Sequence, residues 1–357
     1  MKDSYTILAI NPGSSSDKVS VFKNDQPVWQ EVMRYPVEEV TSFNSLTEQC
    51  VFRKDKLGAL LSKKKELTGT LDAVVGRGGL LRPTESGTYT VNAAMIAELE
   101  EAKWGNHASN LAAIIAKEIA EDLNIPAFIV DPGTVDEMDD VARLSGLPGC
   151  DRLSMFHTLN QKAVAHQVAR RIGKPYESTR LIVAHLGGGI TVGAHAGGRV
   201  IDVNDGMHGD GPFSPERAGG IPTGQLINLC YSGEYTKDEV KKLLVGKGGF
   251  VAYLGTNDGM EVNKKIDAGD LQAKLVYEAM IYQVAKEIGA CAAVLSGQVD
   301  AVVITGGLAY DPKLVRMIED RVRFIAEVHV IPGEDEMAAL AQGALRVLKG
   351  EERAKEY

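Results

Sequence analysis

Short aliphatic, β-branched runs that each end at a glycine corner punctuate the chain and predict buried strands. Tyr5-Thr-Ile-Leu-Ala-Ile10 runs into Asn11-Pro-Gly13, and Arg180-Leu-Ile-Val-Ala-His185 runs into Leu186-Gly-Gly188. Beyond each corner an alternating stretch predicts a second strand, Lys18 to Phe22 and Ile190 to Ala194. Asp72-Ala-Val-Val-Gly-Arg-Gly-Gly79 and Asp300-Ala-Val-Val-Ile-Thr-Gly-Gly307 agree at six of eight positions. A third pair closes the pattern. Ala127-Phe-Ile-Val-Asp-Pro-Gly133 leads into Asp136-Glu-Met138, and Val328-His-Val-Ile-Pro-Gly333 leads into Asp335-Glu-Met337, each read as a strand, a turn and an acidic helix start. Apolar residues at 3.6 spacing predict helices over Ala108 to Leu123 and Leu271 to Leu295, and another over Thr158 to Ile172, stopped by Gly173-Lys174-Pro175.

Three matched pairs in one order argue for duplication of an α/β unit. The expected halves are 1–155 and 156–335, with the helix 336–350 returning to complete the first. A chain of 357 residues is comfortable for two such domains. Its 44% hydrophobic and 24% charged residues exclude disordered and fibrous classes. A net charge of −9 gives no general attraction to nucleic acid or to an anionic membrane. No apolar run approaches the roughly 18 residues of a membrane helix, and the first residues do not read as a signal peptide, so the expectation is a cytoplasmic protein. Cys50, Cys150, Cys230 and Cys291 lack the paired spacing of a zinc site or a disulfide framework.

Candidate chemistry gathers at the corners. Asn11 to Ser16 supplies an amide, hydroxyls and backbone N–H groups at a strand end, which suits a phosphate and equally suits a plain hairpin turn. His185 stands at a strand mouth beside Gly187, Gly188 and Gly189. Arg77, among glycines, can clamp a carboxylate or phosphate through two N–H groups, or be an exposed turn residue. Duplication aims the corners of both halves at one cleft between them. Asn106-His107, Asp131, Phe156-His157 and Pro215-Glu-Arg217-Ala-Gly-Gly220 fit the same cleft. The acidic cluster Glu334-Asp335-Glu336 can serve there, or simply cap a helix N-terminus.

Taken in order, the Asn11–Ser16 corner, Phe156-His157, His185-Leu-Gly-Gly-Gly189, Arg217 before Gly219-Gly220, Thr305-Gly-Gly307 and Ile331-Pro-Gly-Glu-Asp-Glu336 resemble the acetate and butyrate kinase family over residues 5 to 345. The resemblance implies two duplicated ribonuclease-H-like domains of the actin-like ATPase type, with a nucleotide cleft between them. The second domain would bind nucleotide and form a homodimer or higher oligomer. Acetate kinases usually read His-Leu-Gly-Asn-Gly where this chain has His185 to Gly189, and His-Arg-Val-Val-His-Gly-Gly around Arg77, so the resemblance is closer to the butyrate kinases. Gly79 matches a valine that lines the acetate methyl pocket. Its loss is expected to admit a longer acyl chain, whose two extra methylenes are worth about 1.6 kcal/mol if buried.

The family's reaction is reversible, in-line transfer of the ATP γ-phosphoryl group to a carboxylate, here butyrate or isobutyrate, with Mg²⁺. By resemblance, Arg77 and Arg217 hold the carboxylate and the transferring group, His185 donates to it, and His107 and His157 support it. Asp131 orients the site, while Gly79, Asn106 and Phe156 form the acyl pocket. Asn11 with Asp335 or Glu336 organises the metal. Ser14, Ser16 and Gly187 to Gly189 meet the phosphates, and Asp258 with Gly306 and Gly307 brackets the nucleoside. An acetate or propionate kinase is the nearest alternative. A sugar kinase would need an aspartate base such as Asp131, and an ATP-dependent binding protein would need neither arginine.

Overall fold

The computed structural model describes residues 2, 4–43, 45–64, 67 and 69–357. Its strands, in chain order, are β1 (Thr6–Pro12), β2 (Ser16–Lys23), β3 (Gln26–Arg34), β4 (Ala73–Arg77), β5 (Thr88–Thr90) and β6 (Ala127–Val130), then β7 (Arg180–Leu186), β8 (Ile190–Ala196), β9 (Arg199–Val203), β10 (Ala301–Gly306) and β11 (Val328–Pro332). They form two sheets, ordered β3-β2-β1-β4-β6-β5 and β11-β10-β7-β8-β9. In each sheet a three-strand antiparallel meander is extended by two parallel strands, so the repeated sequence pairs occupy equivalent positions. Parallel pairing sets Gly76 beside Ile10 in the first sheet and Thr305 beside His185 in the second. The central strands are continuous apolar runs because helices cover both faces, whereas edge strand β3 is largely exposed.

Alternation divides the second sheet cleanly. Ile182, Ala184, Val302 and Ile304 face a core built with the Leu271–Val294 helix, while Leu181, Val183, Ala301 and Val303 pack on Val164, Ala165 and Val168 of the Thr158–Arg171 helix. The first sheet packs on the Asn110–Leu123 helix and on the Glu336–Leu348 helix. Each sheet therefore receives one covering helix from the chain that follows the last strand of the other. Accordingly, the compact units are Met1–Asp136 with Asp335–Tyr357, and Glu137–Glu334.

Two sequence expectations change here. The boundary lies at Asp136/Glu137 and not near residue 155, because residues 137–152 are bonded into the second unit. Asp139 N–H donates to the Ile201 carbonyl at 2.9 Å, and Arg152 pairs with Asp202 at 2.8 Å. The helix after this turn is also shorter and later than expected, a single turn over Asp140–Arg143 that leaves Asp136 to Met138 outside it. Glu137 is buried, accepting from Lys162 Nζ at 2.6 Å and from Val200 N–H at 3.0 Å. In the matching triplet, Asp335, the counterpart of Asp136, does cap a helix, accepting from Ala338 N–H at 2.9 Å. Among the described residues no helix is long and apolar enough to cross a membrane.

The Lys162–Glu137 pair is almost wholly out of water. Lys162→Met should leave Glu137 buried without its cation and lower unfolding stability by about 3–5 kcal/mol. Adding Glu137→Leu should recover much of that loss, as read by urea denaturation of the single and double variants.

Candidate active site

The first corner is held from beneath by a residue that the motifs did not single out. Arg53, fully buried on the Leu46–Ser62 helix, donates to the carbonyls of Gly13 at 2.9 Å and Ser14 at 3.0 Å and pairs with buried Asp17. Burial pushes the Asp17 carboxyl pKa upward; the Arg53 charge and a 2.8 Å hydrogen bond from the Tyr35 hydroxyl oppose that rise. With two turn carbonyls bound to Arg53, and Gly13 N–H closing onto the Ser16 carbonyl at 2.6 Å, the Ser14 side chain stays at the exposed tip and Ser16 half-buried. A sequence signal existed: Arg53 falls on the same helical stripe as buried Cys50, Leu57 and Leu61.

Asn11, Arg77 and Glu336 meet at the ends of β1 and β4. Glu336 Oε2 accepts from Asn11 Nδ2 at 2.6 Å, and its Oε1 pairs with Arg77 Nη1 at 2.9 Å. The helix-capping reading of the acidic cluster thus describes Asp335, while Glu336 ties two site residues together. His107 Nδ1 accepts from Ser109 N–H at 3.1 Å, leaving its proton on Nε2. Partial burial and then the Arg77 charge lower its pKa, so it is neutral at pH 7. Neighbouring Asn106 is exposed. Asp131 has a left-handed backbone and accepts from Gly87 N–H at 2.8 Å.

Gly79 is closely surrounded, whereas its missing side chain led the sequence reading to expect room for a longer acyl chain. A Cβ there would lie 2.6 Å from Leu99 Cδ2 and 2.7 Å from Asn110 Cα and Oδ1. Asn110 is itself fixed, since its Oδ1 accepts from Leu80 N–H at 2.8 Å. The missing side chain lets the helix start approach the strand end.

In the second unit the three corner glycines are each overlaid by a charged or polar side chain. A Cβ on Gly187 would stand 3.1 Å from His185 Nε2 and 3.4 Å from Glu334 Oε1, and one on Gly188 would stand 3.2 Å from Glu216 Oε2. One on Gly189 would overlap the Arg217 guanidinium. Arg217 also donates to the Gly206 carbonyl, and burial lowers its pKa against the pull of Glu216 and Asp205. His185 is wholly buried, with Nδ1 2.7 Å from Asn160 Oδ1 and Nε2 3.1 Å from Glu334. The ring of His157, which follows buried Phe156, stacks on it at 3.8 Å, with planes 10° apart. The roles of Asn160, Glu216 and Glu334 were not anticipated, although Glu216 lies within the Pro215–Gly220 motif, Glu334 opens the acidic cluster, and Asn160 is on the helix that follows Phe156-His157.

Asp258 and Gly307 line a cavity of about 630 Å³ together with Met260, Tyr277, Tyr310 and Asp311, a volume suited to a small ligand. Gly306 must be glycine, because its φ is +90° and a Cβ would sit 2.3 Å from the Leu186 carbonyl oxygen.

A sequence model of the acetokinase family matches residues 151–330, just over half of the chain. The chain belongs to the acetokinase family. Membership makes it a kinase with a carboxylate acceptor. The fold agrees with solved structures of low sequence identity. A Porphyromonas gingivalis acetate kinase superposes with a TM-score of 0.78 at 21% identity, covering 96% of this chain and all of that one. A propionate kinase from Francisella tularensis subsp. tularensis SCHU S4 gives 0.74 at 20% identity, over 95% of this chain and 98% of that one. A ROK family protein from Streptococcus pneumoniae TIGR4 in complex with sucrose gives 0.54 at 10% identity, over 97% of this chain and 100% of that one. These likenesses identify the fold as two actin-like ATPase domains.

For this acetokinase, Gly79→Ala should damage packing at the start of the Asn110–Leu123 helix and lower the efficiency of every acyl substrate by a similar factor. A constant butyrate-to-acetate ratio of kcat/KM is the expected reading. A ratio that falls with the added methyl would return Gly79 to the acyl pocket.

Proposed function

We propose that this acetokinase transfers the γ-phosphoryl group of ATP directly and reversibly to butyrate or isobutyrate, giving the acyl phosphate and ADP. The observation that carries a carboxylate acceptor is the pair of arginines at glycine turns, Arg77 beside Gly78 and Gly79, and Arg217 lying on Gly189. A carboxylic acid with a pKa of roughly 4 to 5 is already an anion at neutral pH and needs no base. What it needs is positive charge and alignment against a second anion. Asp131, the residue a hydroxyl-directed kinase would use as base, has one oxygen engaged by Gly87 N–H.

In this reading Arg77 and Arg217 hold the carboxylate and the transferring group, and His107, His157 and His185 support the developing charge. Ser14, Ser16 and Gly187 to Gly189 meet the phosphates. Asp258, Gly306 and Gly307 bracket the nucleoside. Hard oxygen donors at Asp335, Glu336 and Asn11 suit Mg²⁺, which takes one or two carboxylates and completes its shell with phosphate and water. Bound there, the ion would neutralise phosphate charge. A homodimer or higher oligomer formed through the second unit belongs to the same reading, which large exposed apolar side chains such as Tyr231, Leu271 and Leu275 support.

Butyrate is favoured by the departure at Gly188, where acetate kinases usually carry asparagine and where Glu216, hydrogen-bonded to Asn257, fills the space. Acetate or propionate is favoured by the tight packing at Gly79, which removes the expected extra pocket volume. Trapping the acyl phosphate as its hydroxamate decides between them. We expect the highest kcat/KM with butyrate or isobutyrate; a higher value with acetate or propionate selects the second reading, and no hydroxamate from any acid rejects both.

Arg77→Ala and Arg217→Ala should each lower kcat by about 10³-fold or more, with circular dichroism unchanged. Glu336→Gln and Asp335→Asn test the metal. At least one should raise the Mg²⁺ concentration for half-maximal activity strongly, whereas a pure helix cap would change only stability.

A further inference from the structure

Behind His157 the second unit contains a row of buried polar side chains with no direct part in the proposed chemistry. Thr191 Oγ1 lies 3.0 Å from His157 Nδ1 and 2.9 Å from Gln161 Nε2, and Gln161 Nε2 also lies 3.1 Å from the Thr191 carbonyl oxygen. Gln161 Oε1 is 3.1 Å from His195 Nε2, and His195 Nδ1 is 2.9 Å from the Tyr176 hydroxyl. Gln161, Thr191 and His195 are inaccessible to water. Gly193 on β8 makes room for them, since a Cβ there would stand 2.7 Å from Gln161 Oε1.

One group in the row has a fixed role: the Thr191 carbonyl can only accept. Gln161 must therefore turn its amide nitrogen toward that carbonyl and its oxygen toward His195. His195 then carries its proton on Nε2, and its Nδ1 accepts from Tyr176. Burial, followed by the charges of Lys162 and His166, holds the His195 pKa well below its ordinary value, so the ring stays neutral and this order of donors persists at neutral pH. The second N–H of Gln161 donates to Thr191 Oγ1. Thr191 Oγ1 could accept a second hydrogen bond, but no other acceptor for its own proton adjoins it among the described residues, so that proton is directed to His157 Nδ1, and a ring nitrogen that accepts is unprotonated. Stacking on His185 fixes the plane of the same ring.

We infer that Thr191 and Gln161 are positioning residues that hold His157 as its Nε2–H tautomer, and so as a hydrogen-bond donor to an anionic oxygen. The tautomer rests on the Thr191 contact and on satisfying its buried hydroxyl proton; the use of that donor rests on the phosphoryl-transfer reading. Neither residue belongs to the motifs that carry the family resemblance.

Long-range ¹H–¹⁵N spectra of the full chain labelled at histidine test the tautomer, with the His157 resonance assigned by its loss in His157→Gln. The wild type should show an accepting Nδ1 and a protonated Nε2 at His157. Thr191→Val should mix or reverse the two, and Thr191→Ser should restore them. Turnover with butyrate and ATP should fall about 10- to 100-fold in Thr191→Val, with the KM for ATP within twofold, and recover in Thr191→Ser. A protonated Nδ1 in the wild type overturns the inference even if Thr191→Val does not fold, and so does a tautomer that Thr191→Val leaves unchanged. A tautomer that shifts while turnover holds would keep the positioning role and remove His157 from the reaction.

Discussion

Bare backbone at the strand ends is the constraint on which the rest of the site depends. Where a β-carbon is missing, a charged side chain can lie directly on the main chain, as Arg217 does on Gly189 and Glu216 does near Gly188. Arg217 is held there by its hydrogen bond to the Gly206 carbonyl, over a strand end that is itself locked into a sheet by neighbours on both sides. In the proposed reaction a guanidinium so held would already be oriented for an anion, with little reorganisation left for the transfer itself.

Charges behind the sites are treated differently from charges within them. Arg53 with Asp17, and Lys162 with Glu137, are deeply buried, close and supported by further hydrogen bonds to backbone carbonyls. Each carries a corner or a connecting segment and has no exposed face with which to meet a ligand. Arg77 and Glu334, by contrast, are each about 40% exposed at their side chains. Burial therefore separates these two structural pairs from the accessible Arg77 and Glu334.

The sheets were readable because each central strand is a continuous apolar run and each ends in glycine, a pattern that local sequence determines. The equivalence of the halves was readable from paired strings such as Asp72–Gly79 and Asp300–Gly307. The boundary was not, since it depends on Glu137 finding Lys162, a contact between residues that no periodicity connects. Gly79 misled for a related reason: a missing side chain can mean an empty pocket or a touching neighbour, and only the position of Asn110 tells which. Arg53 was legible in principle from its helical stripe, which places it with buried Cys50, Leu57 and Leu61. Asn160 and Gln161 were hidden because their partners, His185 and Thr191, lie on strands that the fold alone brings alongside.

The exchange of covering helices imposes an order on synthesis. When the first sheet leaves the ribosome, the helix that should close one of its faces, Glu336–Leu348, has not been made, and the whole of the second unit must be translated before it appears. Strands β1, β4 and β6 therefore wait with apolar surface uncovered, while the second sheet gains its own covering helix, Thr158–Arg171, before its first strand is complete. Until that helix is made, the unit that begins the chain lacks the cover of one sheet face, and exposed apolar surface of this kind is what makes a nascent chain prone to aggregate.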